Sequence, residues 1–142
     1  MASNNSSNTM RAVVWEGKPF EVAVRDVPKP KIQAPEDAIV RITTAAICGT
    51  DLHTYHGILG SSNVPYTLGH EAVGVVVEVG SATETFKLGD RVVIPAFPDD
   101  GHLATEPTTI PALALYGGGK DFGNLGGCQG MYSDYRPLLK KT

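Results

Sequence analysis

Cysteine is scarce in this chain: 142 residues hold only Cys48 and Cys128, which lie 80 positions apart. That number and spacing exclude a disulfide framework, and a reducing, cytoplasmic setting is the expectation. No apolar run is long enough to span a bilayer. Residues 1–9 lack both the apolar stretch of a secretory signal and the arginines of a transit peptide, and read as a disordered polar tail. No basic cluster precedes Lys140-Lys141, and the formal net charge is −3, which argues against nucleic acid and anionic membranes as partners. Nor does any segment from Met1 to Pro95 show a long helical period.

Strand chemistry is present in its place. Met10–Trp15 and Phe20–Val27 are short β-branched runs joined by Glu16-Gly17-Lys18-Pro19, a hairpin-like connection. Pro28, Pro30 and Pro35 punctuate an extended linker. Ala38–Ile47 reads as a strand, with Ile39, Arg41 and Thr43 on one face and Val40, Ile42 and Thr44 on the other. Val73–Val79 is almost continuously apolar, the pattern of a strand buried on both faces. Gly89-Asp90 opens a further strand, Arg91–Pro95, and Gln129–Tyr135 reads as a final one. Between them, 97–127 is rich in Pro and Gly and is predicted to be a long loop, with a helical turn near Pro111–Tyr116. The expected fold is mainly β: a single domain over 10–142, built as a small, partly open β-barrel with one long excursion.

Two short stretches carry chemistry. Cys48-Gly49-Thr50-Asp51-Leu52-His53 stands 22 residues before His70 of Gly69-His70-Glu71. A thiolate, imidazoles and carboxylates are the donors a Zn²⁺ ion takes. Gly49–Tyr55 reads as a loop entering a short helical turn, with Thr50 or Asp51 capping the following amides, and such amides favour a thiolate at Cys48. His70 precedes the Val73–Val79 strand. Glu71 would point the opposite way in regular strand, whereas a bend at Gly69 lets it approach the same metal. Asp51 and Glu71 are candidate carboxylates for orienting imidazoles, and Thr50 with His53 is a candidate proton relay. On spacing alone, a lone Cys48 reads more readily as a buried apolar filler than as a ligand, and a lone His70 as a surface or hydrogen-bonded core histidine.

These motifs, with Gly69-His70-Glu71-Ala72-Val73-Gly74 and Gly89-Asp90-Arg91-Val92, resemble the GroES-like domain of zinc-dependent medium-chain alcohol dehydrogenases. The likeness runs from about Met10 to Pro95 and is similar to the formaldehyde and threonine dehydrogenase branches. It implies Cys48 and His70 as catalytic-zinc ligands and Glu71 as an alternative or supporting ligand. It also implies Thr50 as the hydroxyl that hands off the substrate proton, His53 as the next relay member, and Asp51 as a supporting carboxylate. Cys128, in Gly126-Gly127-Cys128-Gln129, resembles a structural position; His56 and His102 are weaker ligand candidates, with His56 close enough to Cys48 in sequence to be considered. The family's Gly-rich dinucleotide fingerprint has no counterpart here, since Gly117-Gly118-Gly119 follows no convincing strand and opens no helix. The four closely spaced cysteines of the family's structural-zinc lobe are also missing.

The expectation from these residues is a zinc site without NAD(P) bound by this chain alone. It favours a non-redox enzyme, possessing a Lewis acid and acid–base groups, acting on a small carbonyl metabolite in specialised metabolism by isomerisation, dehydration, cyclisation or aldol-type chemistry. The alternatives are an inactive binding or scaffold module, or half of a split NAD(P)-dependent dehydrogenase. An exposed barrel face covered by a homodimer or a partner chain accompanies all three readings.

Overall fold

The computed structural model describes residues 8–97, 115–119 and 135–138. Among the described residues, seven strands and one helix follow in chain order. They are β1 (Thr9–Trp15), β2 (Val22–Pro28), β3 (Ala38–Ala45), α1 (Gly49–Tyr55), β4 (Tyr66–Thr67), β5 (Ala72–Val79), β6 (Arg91–Ile94) and β7 (Tyr135–Leu138). They form two antiparallel sheets, ordered β2-β1-β4 and β6-β5-β3-β7. Among the described residues no ladder joins one sheet to the other, so the partly open barrel expected from the sequence consists of two sheets that do not close into a ring.

The β-branched runs behave as their composition demands, with two informative exceptions. β3 does not alternate cleanly: Ala38, Ile39 and Val40 are all buried, because its register against β5 shifts after Ile39 and again between Ile42 and Thr44. Each irregularity turns the following side chains onto a new face. β5 is not buried on both faces either. Ala72, Gly74 and Val76 are buried, whereas Val77 is 40% exposed. Its apolar run belongs to an antiparallel sheet with one covered side, and the outer side is left to solvent.

The larger sheet has its core in Ala38, Val40, Ala72, Val76 and Ile94, with Tyr116 packed among them. Met10, Ala12, Val14, Trp15 and Leu68 are buried around the smaller sheet. The polar tail predicted for 1–9 ends earlier than expected. Thr9 already pairs with Pro28, and the Asn8 carbonyl accepts from Lys29 N at 3.0 Å. Tyr116 lies in a turn rather than a helix. The final strand begins at Tyr135, the last residue of the segment expected to form it. The remaining expectations for 97–127, and those for 129–134, lie outside the described residues apart from 97 and 115–119.

Candidate metal centre

β3 and β5 stay paired until Ala45 faces Ala72, and one more bond, from Ala46 N–H to the Glu71 carbonyl at 3.1 Å, ends the ladder. Past that rung the strands part. One leads through Cys48 into α1, and the other is entered from Gly69-His70-Glu71. Gly69 has φ +95°, a left-handed conformation that costs glycine little because it has no Cβ. β5 starts only at Ala72, so His70 and Glu71 are not bound to the strict up-and-down alternation of a strand. One donor atom each from Cys48, His70 and Glu71 lies within 4.8 Å of the others, with His70 buried, Cys48 half-buried and Glu71 exposed.

Asp51 ties this corner together. Cys48 is the N-cap of α1, and Asp51 stands at the third helical position. Its Oδ2 accepts from the Cys48 N–H at 2.9 Å, and the Asp51 N–H donates to the Cys48 carbonyl at 3.1 Å. The expected capping therefore runs backwards: the carboxylate closes onto Cys48 rather than onto the amides that follow, as an acidic third residue does in a capping box. The other oxygen, Oδ1, lies 3.4 Å from His70 Nδ1. One buried carboxylate thus holds the backbone bearing the thiol and faces one nitrogen of the imidazole, leaving Nε2 for a metal.

Thr50 Oγ1 is 3.7 Å from Cys48 Sγ, inside the same corner. His53 lies in the last turn of α1 with its side chain exposed, and among the described residues no hydrogen bond joins it to Thr50. His56 is drawn elsewhere. Its ring packs against Phe20 and Tyr55, with centroids 5.3 and 5.8 Å away. Phe20 is anchored beside it, its N–H donating to the Tyr55 carbonyl at 2.8 Å. His102 and Cys128 lie outside the described residues.

The donor set fits zinc. Sulfur, imidazole nitrogen and carboxylate oxygen are the atoms it takes at about 2.0–2.3 Å, and three such donors leave a fourth tetrahedral position for water or substrate. A dinucleotide finds no such fit among the described residues. Their one helix has seven residues, and the Gly117–Gly119 turn packs against Gly69, Ser61 and Tyr66 instead of opening a phosphate cradle.

The family model for the alcohol dehydrogenase GroES-like domain matches residues 34–141. The chain belongs to that family. A zinc-type alcohol dehydrogenase-like protein of Bacillus subtilis, AdhB, is 48% identical over 86 residues, which is 61% of this chain and 22% of the relative. Among solved structures, the alcohol dehydrogenase TADH of Thermus sp. ATN1 aligns with a TM-score of 0.77 and 37% identity, covering 92% of this chain and 38% of that one. A putative zinc-binding dehydrogenase of Sinorhizobium meliloti 1021 bound to NADP aligns with a TM-score of 0.64 and 30% identity, covering 94% and 37%. This GroES-like chain therefore spans well under half the length of the relatives it matches. Their names suggest zinc, and the Cys48, His70 and Glu71 donors are grouped as such a site needs.

Two neighbours of the corner escape sequence reasoning. The first is the turn 115–119, whose three consecutive glycines read as loop and not as a packing surface. The second is an open apolar hollow of about 450 Å³ whose lining includes Val13, Val22, Ala45, Ile47, Leu52, Tyr55 and Asp51. Its residues come from β1, β2, the end of β3 and α1, and no local pattern announces that they converge.

Proposed function

We propose that these residues form the metal-binding catalytic domain of a zinc-type dehydrogenase or reductase that interconverts a small alcohol and the corresponding carbonyl compound. The observation that carries this reading is the corner itself: three zinc donors within 4.8 Å, with Asp51 behind His70 and Thr50 beside Cys48. When bound, zinc supplies Lewis acidity toward the substrate oxygen. Asp51 orients His70 and fixes the backbone of Cys48. Thr50 accepts the proton of the substrate hydroxyl as it gives up its own. His53, three positions along α1 and open to water, receives that proton once its exposed ring turns to meet Thr50, a contact not made in the resting site. Glu71 is the exposed third donor.

The non-redox chemistry expected from the sequence rests on the lack of a dinucleotide fingerprint in this chain. The much longer relatives are named as dehydrogenases, and one is bound to NADP, which supports redox chemistry instead. In this reading the nicotinamide is held by protein outside the described residues. The apolar hollow beside α1, with Ile47 76% and Leu52 49% exposed, supports a covering surface supplied by that same part of the enzyme.

Metal analysis of protein purified without chelator tests the site. Near-stoichiometric zinc is expected, and it should be lost in the Cys48→Ala/His70→Ala variant; a zinc-free wild-type protein overturns the metal reading. Assays on a panel of alcohols and carbonyl compounds, with and without NAD(P), test the chemistry. Turnover that never needs nicotinamide returns the assignment to lyase or isomerase chemistry.

A further inference from the structure

The donor segment is held from two sides, and only one of them is Asp51. On the other side lies the turn 115–119. Its Tyr116 is 2% exposed within the core of the larger sheet, and the Tyr116 N–H donates to the Ala96 carbonyl at 3.0 Å. Farther along, the Gly118 carbonyl accepts from Ser61 N at 3.0 Å. Between these anchors Gly117 has φ +72° and rests directly on the backbone of Gly69. A Cβ at Gly117 would stand 2.4 Å from the Gly69 carbonyl oxygen, 2.8 Å from its nitrogen and 3.0 Å from its carbonyl carbon. Backbone atoms cannot rotate away as a flexible side chain can, so the added carbon must displace one of the two segments. Gly69 is the residue whose left-handed bend delivers His70 and Glu71.

We infer that Gly117 is a positioning residue for the metal centre: its missing side chain lets the 115–119 turn seat Gly69, and so sets where His70 and Glu71 stand relative to Cys48. The inference rests on the metal reading above, yet the contact is testable apart from it. Gly69 is pressed by a turn anchored in the core, while His70 is faced by Asp51 from α1. The donor segment is thereby clamped between two independently anchored elements, which is how a ligand can keep its place before the ion arrives.

The test titrates wild type, Gly117→Ala, Gly117→Asn and Gly89→Ala with cobalt(II) chloride, a spectroscopic substitute for zinc. Gly117→Asn adds the same Cβ with a smaller penalty for positive φ, because asparagine tolerates the left-handed region best among the non-glycine residues. Gly89→Ala is the matched control, since Gly89 has φ +91° but nothing within 4 Å of an added Cβ. Both Gly117 variants should bind cobalt at least about tenfold more weakly, with a shifted thiolate-to-cobalt absorption band. Their amide resonances for His70 and Glu71 should also move in the metal-free protein. Gly89→Ala should lose some thermal stability and leave affinity, absorption band and resonances unchanged.

Folded Gly117 variants with wild-type affinity and unmoved His70 and Glu71 resonances overturn the inference. It is equally overturned if neither Gly117 variant folds while Gly89→Ala does, because the turn then serves the fold as a whole. Wild-type protein that binds no cobalt refutes the metal reading instead, and the amide resonances still decide the contact.

Discussion

Asp37 and Asp51 use one local device in two parts of the molecule, and the comparison separates structure from chemistry. Each is buried, and each places Oδ2 2.9 Å from the backbone N–H three residues earlier, Ala34 for Asp37 and Cys48 for Asp51. Asp37 adds a second amide, Gln33, at 2.9 Å, and its own carbonyl accepts from Gly80 N and Thr83 Oγ1. That region is a joint: it ties the start of β3 to the chain leaving β5. At Asp51 the second oxygen faces the His70 ring instead. Asp90 repeats the device a third time, accepting from Lys87 N at 2.9 Å on an exposed turn. The bond from the N–H three residues earlier is thus common to all three, and the added partner sets the role: a second amide at Asp37 and the His70 ring at Asp51.

Replacing these aspartates should break the likeness in a definite order. Asp37→Ala leaves two part-buried amides without their carboxylate and is expected to lower the unfolding free energy by about 2–4 kcal/mol, read from urea denaturation. Its metal affinity, for the fraction that is folded, should stay near wild type. Asp51→Asn keeps an acceptor for Cys48 N–H and is expected to fold. It turns an amide toward His70 in place of a carboxylate, so zinc affinity should fall about 10–100-fold in competition with a chromophoric chelator. A variant that retains full zinc affinity would show that the 3.4 Å approach to His70 has no bearing on the metal. Asp90→Ala should cost the least, about 0.5–1 kcal/mol of stability, with no change in metal binding.

Much of this was legible in the residues. The β-branched runs at Met10–Trp15 and Ala38–Ala45 are strands, and the pairing of Cys48 with His70 and Glu71 followed from their motifs and from the bend available at Gly69. What stayed hidden is long-range. The apolar run of β5 says that its residues favour a sheet, but not that one side of the sheet stays open at Val77. Asp51 announces a cap, but its direction depends on a helix that begins one residue after Cys48. The glycines at 117–119 announce a flexible backbone, whereas their use is a contact with residues some 50 positions away, which no local pattern encodes.

The position of the corner at the end of the β3–β5 ladder has a consequence for what an ion would have to accomplish there. A bond from Cys48 through a metal to His70 closes a ring of 22 positions that includes α1 and β4. The neck of that ring is already drawn shut by the Ala46–Glu71 hydrogen bond. Little wandering remains for the ion to suppress, so nearly all of its coordination energy goes into holding itself and little into gathering the chain. A chelator should then take the ion and leave the corner standing, like a seam that keeps its shape after the clasp at its end is removed, with the stitched length from Ala38 to Ala45 closed.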